Sequence, residues 1–236
     1  MLVKKKNCYG YLLVIFFGFF MELQRILSLG VLCDNKQKIS IEEYRQMKID
    51  SYVFTVFEKQ KNTWEQKMVQ NGYGKVYGNA LSHILLDMKC FPVKNMKRIS
   101  FENSWMNGRA YGGNREHEGT DIMDNNNKRG TLPVISVSDG VVEKIGWLEL
   151  GGYRIGIRSE NGVYFYYAHL HNYANGIKEG VNVKAGDVLG TMGDTGYGEE
   201  GTTGQFPVHL HFGIYVDLEG KEYSVNPYYI LKYLSD

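Results

Sequence analysis

The chain has 236 residues, with 28 glycines and 18 tyrosines against only 4 prolines, a balance that fits a turn-rich β domain and excludes a disordered or collagenous chain. A formal charge of +1, with no basic face interleaved with aromatics, excludes nucleic acid as an expected partner. Three cysteines, Cys8, Cys33 and Cys90, are too few and too scattered for a disulfide framework or a zinc ribbon, although they leave room for a Cys33–Cys90 bridge outside the cytoplasm.

At the N-terminus, Lys4-Lys5-Lys6 precede an uncharged run from Cys8 to Met21. A basic flank followed by about 14 such residues is the pattern of a secretory h-region or a short signal anchor. It is shorter than the ~20 residues of a comfortable membrane-spanning helix. No small-residue cleavage site stands out after Met21, and Leu32 sits where a lipobox ending at Cys33 wants a small residue. Residues 1–33 therefore read as a signal peptide or membrane anchor with its juxtamembrane stretch, and an uncleaved anchor is favoured.

Residues 34–96 read as a helical spacer or docking segment. Ser40-Ile41-Glu42-Glu43 forms a capping box, and Ile41, Tyr44, Ile49, Tyr52, Val53, Val56 and Phe57 recur at helical spacing. A second start at Thr63-Trp64-Glu65-Gln66 leads to an apolar stripe ending at Met88, weakened by Gly72, Gly74 and Gly78. Two such helices fit an antiparallel hairpin, and residues 40–90 offer a surface for a protein partner. His83 lies beside the stripe and reads as structural.

After Phe91-Pro92 the texture becomes β-like, and residues 97–236 read as one mainly antiparallel β domain. Pro133–Val137 and Val141–Trp147 read as a hairpin closed by Asp139-Gly140. Tyr153–Arg158 and Val163–His169 read as another, closed by Asn161-Gly162. Val181–Lys184 and Asp187–Leu189 flank a glycine turn, Pro207–Val216 reads as a long strand, and Pro227–Leu234 as a closing helix.

Chemistry concentrates in three stretches: His117-Glu118-Gly119-Thr120-Asp121, Tyr167-Ala168-His169-Leu170 and His209-Leu210-His211. An HxxxD with a distant HxH supplies the His/Asp/His set that Zn²⁺ takes when a fourth position stays open. On a strand, residues i and i+2 share a face. His209 and His211 therefore point one way, one to bind metal and the other to reach a water beside it, while Leu210 and Phe212 enter the core. His169 ends an aromatic strand over a cleft, and Asp121 ends a strand beside the Gly-rich stretch Gly112 to Gly119. Glu118 is no HExxH base, because position 121 is Asp. His171 reads as a surface residue, and the glycine-rich loop from Gly190 to Gly204 as the rim of a substrate groove.

Residues 108–236 resemble the lysostaphin/LytM-type zinc endopeptidases that cut peptide cross-links in bacterial cell walls. The resemblance is carried by His117-x-x-x-Asp121, Val137-x-Asp139-Gly140-Val141-Val142, Tyr167-Ala168-His169-Leu170, Val183-Lys184-Ala185-Gly186-Asp187, His209-Leu210-His211-Phe212 and Asn226-Pro227. It implies His117, Asp121 and His211 as Zn²⁺ ligands, and His169 and His209 as the non-ligand catalytic pair. Tyr111 matches a position where some members place a tyrosine near the metal. The implied reaction is hydrolysis of peptidoglycan stem or bridge peptides by metal-activated water. His209 is the first choice as base, and the other histidine stabilises the oxyanion. The substrate implies an extracytoplasmic protein, membrane-anchored or secreted. The alternative is a non-catalytic wall-binding or assembly scaffold on the same fold, which typically looks degenerate at the ligand positions.

Overall fold

The computed structural model describes residues 80, 83–109, 113–218 and 220–235. The apolar run 8–21, the capping box at Ser40, most of the two expected helices and Tyr111 lie outside the described residues.

Among the described residues, twelve strands precede a closing helix. They are β1 (Ile99–Phe101), β2 (Gly108–Arg109), β3 (Arg115–Glu116), β4 (Thr120–Asp124), β5 (Pro133–Ile135), β6 (Gly140–Leu148), β7 (Gly152–Arg158), β8 (Tyr164–Tyr173), β9 (Asn182–Val183), β10 (Val188–Met192), β11 (His209–Leu218) and β12 (Lys221–Val225), followed by α1 (Tyr228–Ser235). Ten strands form one sheet with the central order β1-β4-β11-β8-β7-β6-β9, and β2 and β3 form a separate two-stranded hairpin. Every pairing is antiparallel. The mainly antiparallel β domain expected from the sequence is thus what forms.

Strand alternation builds the core. Leu210, Phe212 and Ile214 of β11 and Phe165 and Tyr167 of β8 are fully buried, joined by Ile122, Ile155, Ile157 and Leu189. In α1, Ile230 and Leu231 bury against the same cluster. Its start is capped by Asn226, whose side-chain oxygen accepts from the Tyr228 amide at 3.0 Å with Pro227 between them. Residues just before the expected boundary at 97 also join the core. Ile84 and Leu85, on a helical turn over 83–87, are buried together with Met88, Phe91 and Val93. The segment is tied down by the Val93–Val134 bridge and the Lys89–Asp139 ion pair at 2.6 Å.

Two details differ from the sequence reading. The first expected hairpin does not form: β5 pairs with β10, whereas β6 pairs with β7 and β9. Asp139-Gly140 supplies no positive-φ turn there. Asp139 instead accepts from the Ala185 amide, and a side chain at Gly140 would meet the Arg158 carbonyl, so the glycine permits close strand approach. The second hairpin does form, with Gly162 at φ 84 in its turn. Cys90 carries a free thiol that donates to the Ser136 carbonyl, and Cys33, its expected partner, lies outside the described residues.

Candidate metal centre

Three neighbouring strands bring the sequence motifs together. In the β4–β11 ladder Asp121 lies opposite His211, and in the β11–β8 ladder His211 lies opposite Ala168. His117 arrives from the loop between β3 and β4. Its Nδ1 lies 3.0 Å from the Ser104 carbonyl, which can only accept, so Nδ1 carries the proton and Nε2 presents a lone pair. Asp121 sits second in β4, at the strand's start rather than its end, because the bend at Gly119 delivers the chain directly into the ladder.

The ligand atoms converge tightly. His117 Nε2 is 3.0 Å from Asp121 Oδ1 and 2.9 Å from His211 Nδ1, and the last two are 3.2 Å apart. A tetrahedral ion with bonds of about 2.0–2.1 Å would set such edges near ~3.3 Å. These are three acceptor-rich atoms with at most one proton to share, since the His117 proton is committed to Ser104. A shared cation relieves that crowding, so the donor set fits a metal ion. Among the described residues, this is the one group of three such side chains able to hold a metal.

Electrostatics agree with this arrangement. Burial alone would raise the Asp121 pKa, but the imidazoles of His117, His211 and His209 packed around the carboxylate hold it far below the usual range. Asp121 therefore stays anionic. Burial pushes His211 and His209 down, opposed in each by the Asp121 charge, and pushes His169 well below the ordinary histidine value. Arg109 on β2 reaches the other Asp121 oxygen, Oδ2, at 2.5 Å.

The two further histidines face the same space. His209 Nδ1 donates to the Pro207 carbonyl at 2.7 Å and His169 Nδ1 to the Thr195 carbonyl at 2.8 Å, so both carry a lone pair on Nε2. Their ring centroids are 4.7 Å apart, and His209 Nε2 is 3.7 Å from Asp121 Oδ1. His169 does not end its strand, as β8 runs on to Tyr173. It sits instead in a β-bulge where the β7–β8 register shifts, with φ 61, and this turns its ring toward the groove. That left-handed conformation costs on the order of 1–3 kcal/mol and is typical of functional sites.

A groove of about 430 Å³ runs over this centre. It is lined by Arg109, Arg115 and Glu116 of the β2–β3 hairpin and by the aromatic rings of Tyr166, Tyr197, Phe206 and Tyr215. Tyr197 comes from the glycine-rich loop expected to rim the groove. Glu118 lines the groove too, while His171 and His83 are exposed. Sequence reasoning missed Arg109 and the carbonyls of Ser104, Thr195 and Pro207. A carbonyl has no sequence code, and Arg109 reaches Asp121 only through the hairpin.

The chain matches the model of peptidase family M23 over residues 115–227. It is 46% identical over 154 residues to an L-Ala–D-Glu endopeptidase of Bacillus subtilis, covering 65% of this chain and 45% of that protein. It is 35% identical over 132 residues to the glycyl-glycine endopeptidase ALE-1 of Staphylococcus capitis, covering 51% of this chain and 33% of that protein. The chain thus spans less than half the length of these curated relatives. A crystal structure from Ruminococcus gnavus, described as a LytM glycyl-glycine endopeptidase, superposes with a TM-score of 0.66 at 46% identity, covering 80% of this chain and 82% of that one. With the motifs, the sheet and this likeness in agreement, the chain belongs to peptidase family M23, with the lysostaphin/LytM-type proteins.

Proposed function

We propose that this protein is a zinc endopeptidase that hydrolyses peptide bonds of peptidoglycan outside the cytoplasm. The observation that carries the reading is the convergence of His117 Nε2, Asp121 Oδ1 and His211 Nδ1 within 3.2 Å, with two more histidines lining the same groove. The names of the relatives supply the substrate class. In this reading residues 1–33 anchor or export the chain, 34–96 space or dock it, and 97–236 carry the chemistry. Among the described residues no helix is long and apolar enough to cross a membrane, and the apolar run 8–21 lies outside them.

His117, Asp121 and His211 would hold Zn²⁺, which when bound supplies Lewis acidity to the scissile carbonyl and acidifies water. Of the two remaining histidines, His209 is the better base, because the Asp121 charge stabilises its imidazolium while burial depresses His169 more strongly. His209 Nε2 takes a proton from the attacking water and returns it to the leaving nitrogen. His169, whose Nδ1 proton is committed to Thr195, accepts a hydrogen bond from that water and orients it. It becomes an oxyanion donor only after it gains a proton. Tyr111 remains a proposed contributor near the metal.

The test is digestion of purified peptidoglycan by the zinc-loaded protein, with new amino groups identified by mass spectrometry. The reading expects chelator-sensitive release of peptide amines, and no release from protein that holds zinc overturns it.

A further inference from the structure

Two loops support His169 and His209. Just past β10, the Gly193 carbonyl accepts from the His209 amide at 3.0 Å, and the Thr195 carbonyl accepts from His169 Nδ1 at 2.8 Å. The residue between these two acceptors is Asp194, whose side chain is only 4% exposed. A further link runs to the stretch that leads into β11. Asp194 Oδ2 accepts from the Gly204 amide at 3.0 Å, and further along the same stretch the Pro207 carbonyl takes the His209 Nδ1 proton. Phe206, between those two points, packs its ring against His169 at 4.6 Å and against His209 at 5.0 Å.

Asp194 is held from outside this segment. Arg129, in the loop between β4 and β5, donates from Nη2 to the same Oδ2 at 2.8 Å, and its Nη1 lies 3.4 Å from Thr203 Oγ1. That loop is tied to both stretches, since the Gly130 amide donates to the Met192 carbonyl at 2.8 Å and Asn127 Oδ1 accepts from the Val208 amide at 2.7 Å. A carboxylate withdrawn from water against a cation that stays 46% exposed gains little net stability, because desolvation consumes most of the attraction. What such a pair does supply is a fixed place for the backbone around it. Neither Asp194 nor Arg129 lines the groove over the metal centre.

We propose that Asp194, held by Arg129, is a positioning residue that keeps His169 and His209 in the tautomer and orientation hydrolysis needs. This rests on the endopeptidase reading and adds to it a residue that touches neither metal nor substrate. Asp194 acts on His169 through the Thr195 carbonyl, and on His209 through the stretch from Gly204 to Pro207 and the Phe206 ring. Each imidazole, with its Nδ1 proton committed to a carbonyl, keeps its Nε2 lone pair for the reaction.

The test uses the full chain with one equivalent of zinc. Imidazole ¹⁵N NMR, recorded without substrate, should show both histidines protonated on Nδ1, and Asp194→Ala should broaden or mix these signals. On soluble peptidoglycan fragments the same variant should lower kcat about tenfold to a hundredfold, the range for a small misplacement of reacting groups, with KM within about twofold and zinc still at one per chain. Asp194→Asn, which keeps an oxygen for Gly204 and Arg129, should restore most of the rate and the original signals. Arg129→Gln, a change at a half-exposed side chain, should show the same losses in smaller measure, and it decides the matter if Asp194→Ala does not fold. Unchanged imidazole signals in the folded variants overturn the proposal whatever the rate. A loss carried by KM or by zinc content, or an Asp194→Asn as slow as the alanine variant, overturns it too. Because the signals are read without substrate, a chain that cleaves nothing sinks the endopeptidase reading while the hold of Asp194 on the two imidazoles is still decided by NMR.

Discussion

Gly119 is a small residue on which the whole metal centre depends. A β-carbon there would lie 2.6 Å from His211 Cε1, 2.7 Å from His211 Nε2 and 2.7 Å from the Phe212 carbonyl oxygen. Ordinary contact begins near 3.4 Å, so Gly119→Ala forces a displacement of roughly 0.7–0.8 Å. The Phe212 carbonyl belongs to β11, which is paired on both sides by β4 and β8, so the His211 imidazole and the backbone at residue 119 must move rather than the strand. His211 Nδ1 then leaves positions set at 2.9 and 3.2 Å from the other two ligand atoms, well beyond the ~0.2 Å tolerance of a metal site. We expect zinc affinity to fall by about a hundredfold or more, and stability by about 1–3 kcal/mol from overpacking. Competition against a fluorescent zinc chelator reads the first and urea denaturation the second. Gly108→Ala is the control, since nothing lies within 4 Å of a β-carbon there. Wild-type zinc affinity in Gly119→Ala would refute the reasoning.

Three further outcomes are expected. His209→Ala and His169→Ala should each lower hydrolysis about 10²–10⁴-fold while still binding one zinc, checked by kinetics and metal analysis on the same samples; loss of metal in both would make them ligands instead. Burial depresses the pKa of His169, His209 and His211, so the unfolded chain binds more protons as pH falls through about 6.5. The metal-free protein should therefore keep its stability above pH ~7.5 and lose up to roughly 1.4 kcal/mol per pH unit per histidine below pH ~6.5, measured by urea melts, and a flat profile would count against neutral buried imidazoles. A fragment starting at Lys97 loses buried Ile84, Leu85, Met88, Phe91 and Val93, each contributing about 1.5–3 kcal/mol as an upper bound, against a total of about 5–15 kcal/mol. It should fail to fold where one starting at Ile49 folds, as judged by circular dichroism, and equal melting of the two would contradict the core described here.

Much of the centre was legible because strand geometry has so few options. The two-residue period placed His209 and His211 on one face and Leu210 and Phe212 on the other, and the structure follows that alternation. Pairings between distant strands were less legible. Nothing local in Pro133–Ile135 says that its partner is β10, and Asp139-Gly140 has the same letters whether it turns a hairpin or lets two strands approach. The bulge at His169 was hidden for a similar reason, since it lies where the β7–β8 register shifts, and that register has no local sequence code. Arg109 escaped notice because its role exists only once the β2–β3 hairpin folds over β4. The contribution of residues 84–93 to the core was masked because the helical pattern runs to Met88, so these residues read as part of the segment before the sheet domain.

The central claim is that the three converging atoms hold the ion on which hydrolysis depends. The most direct measurement is a zinc titration of chelator-treated protein, with cleavage of peptidoglycan followed at each addition. The account predicts activity that rises from background and saturates at one zinc per chain, and a His117→Ala variant that neither binds zinc nor responds. Full cleavage by metal-free protein, or a normal response from His117→Ala, would contradict it.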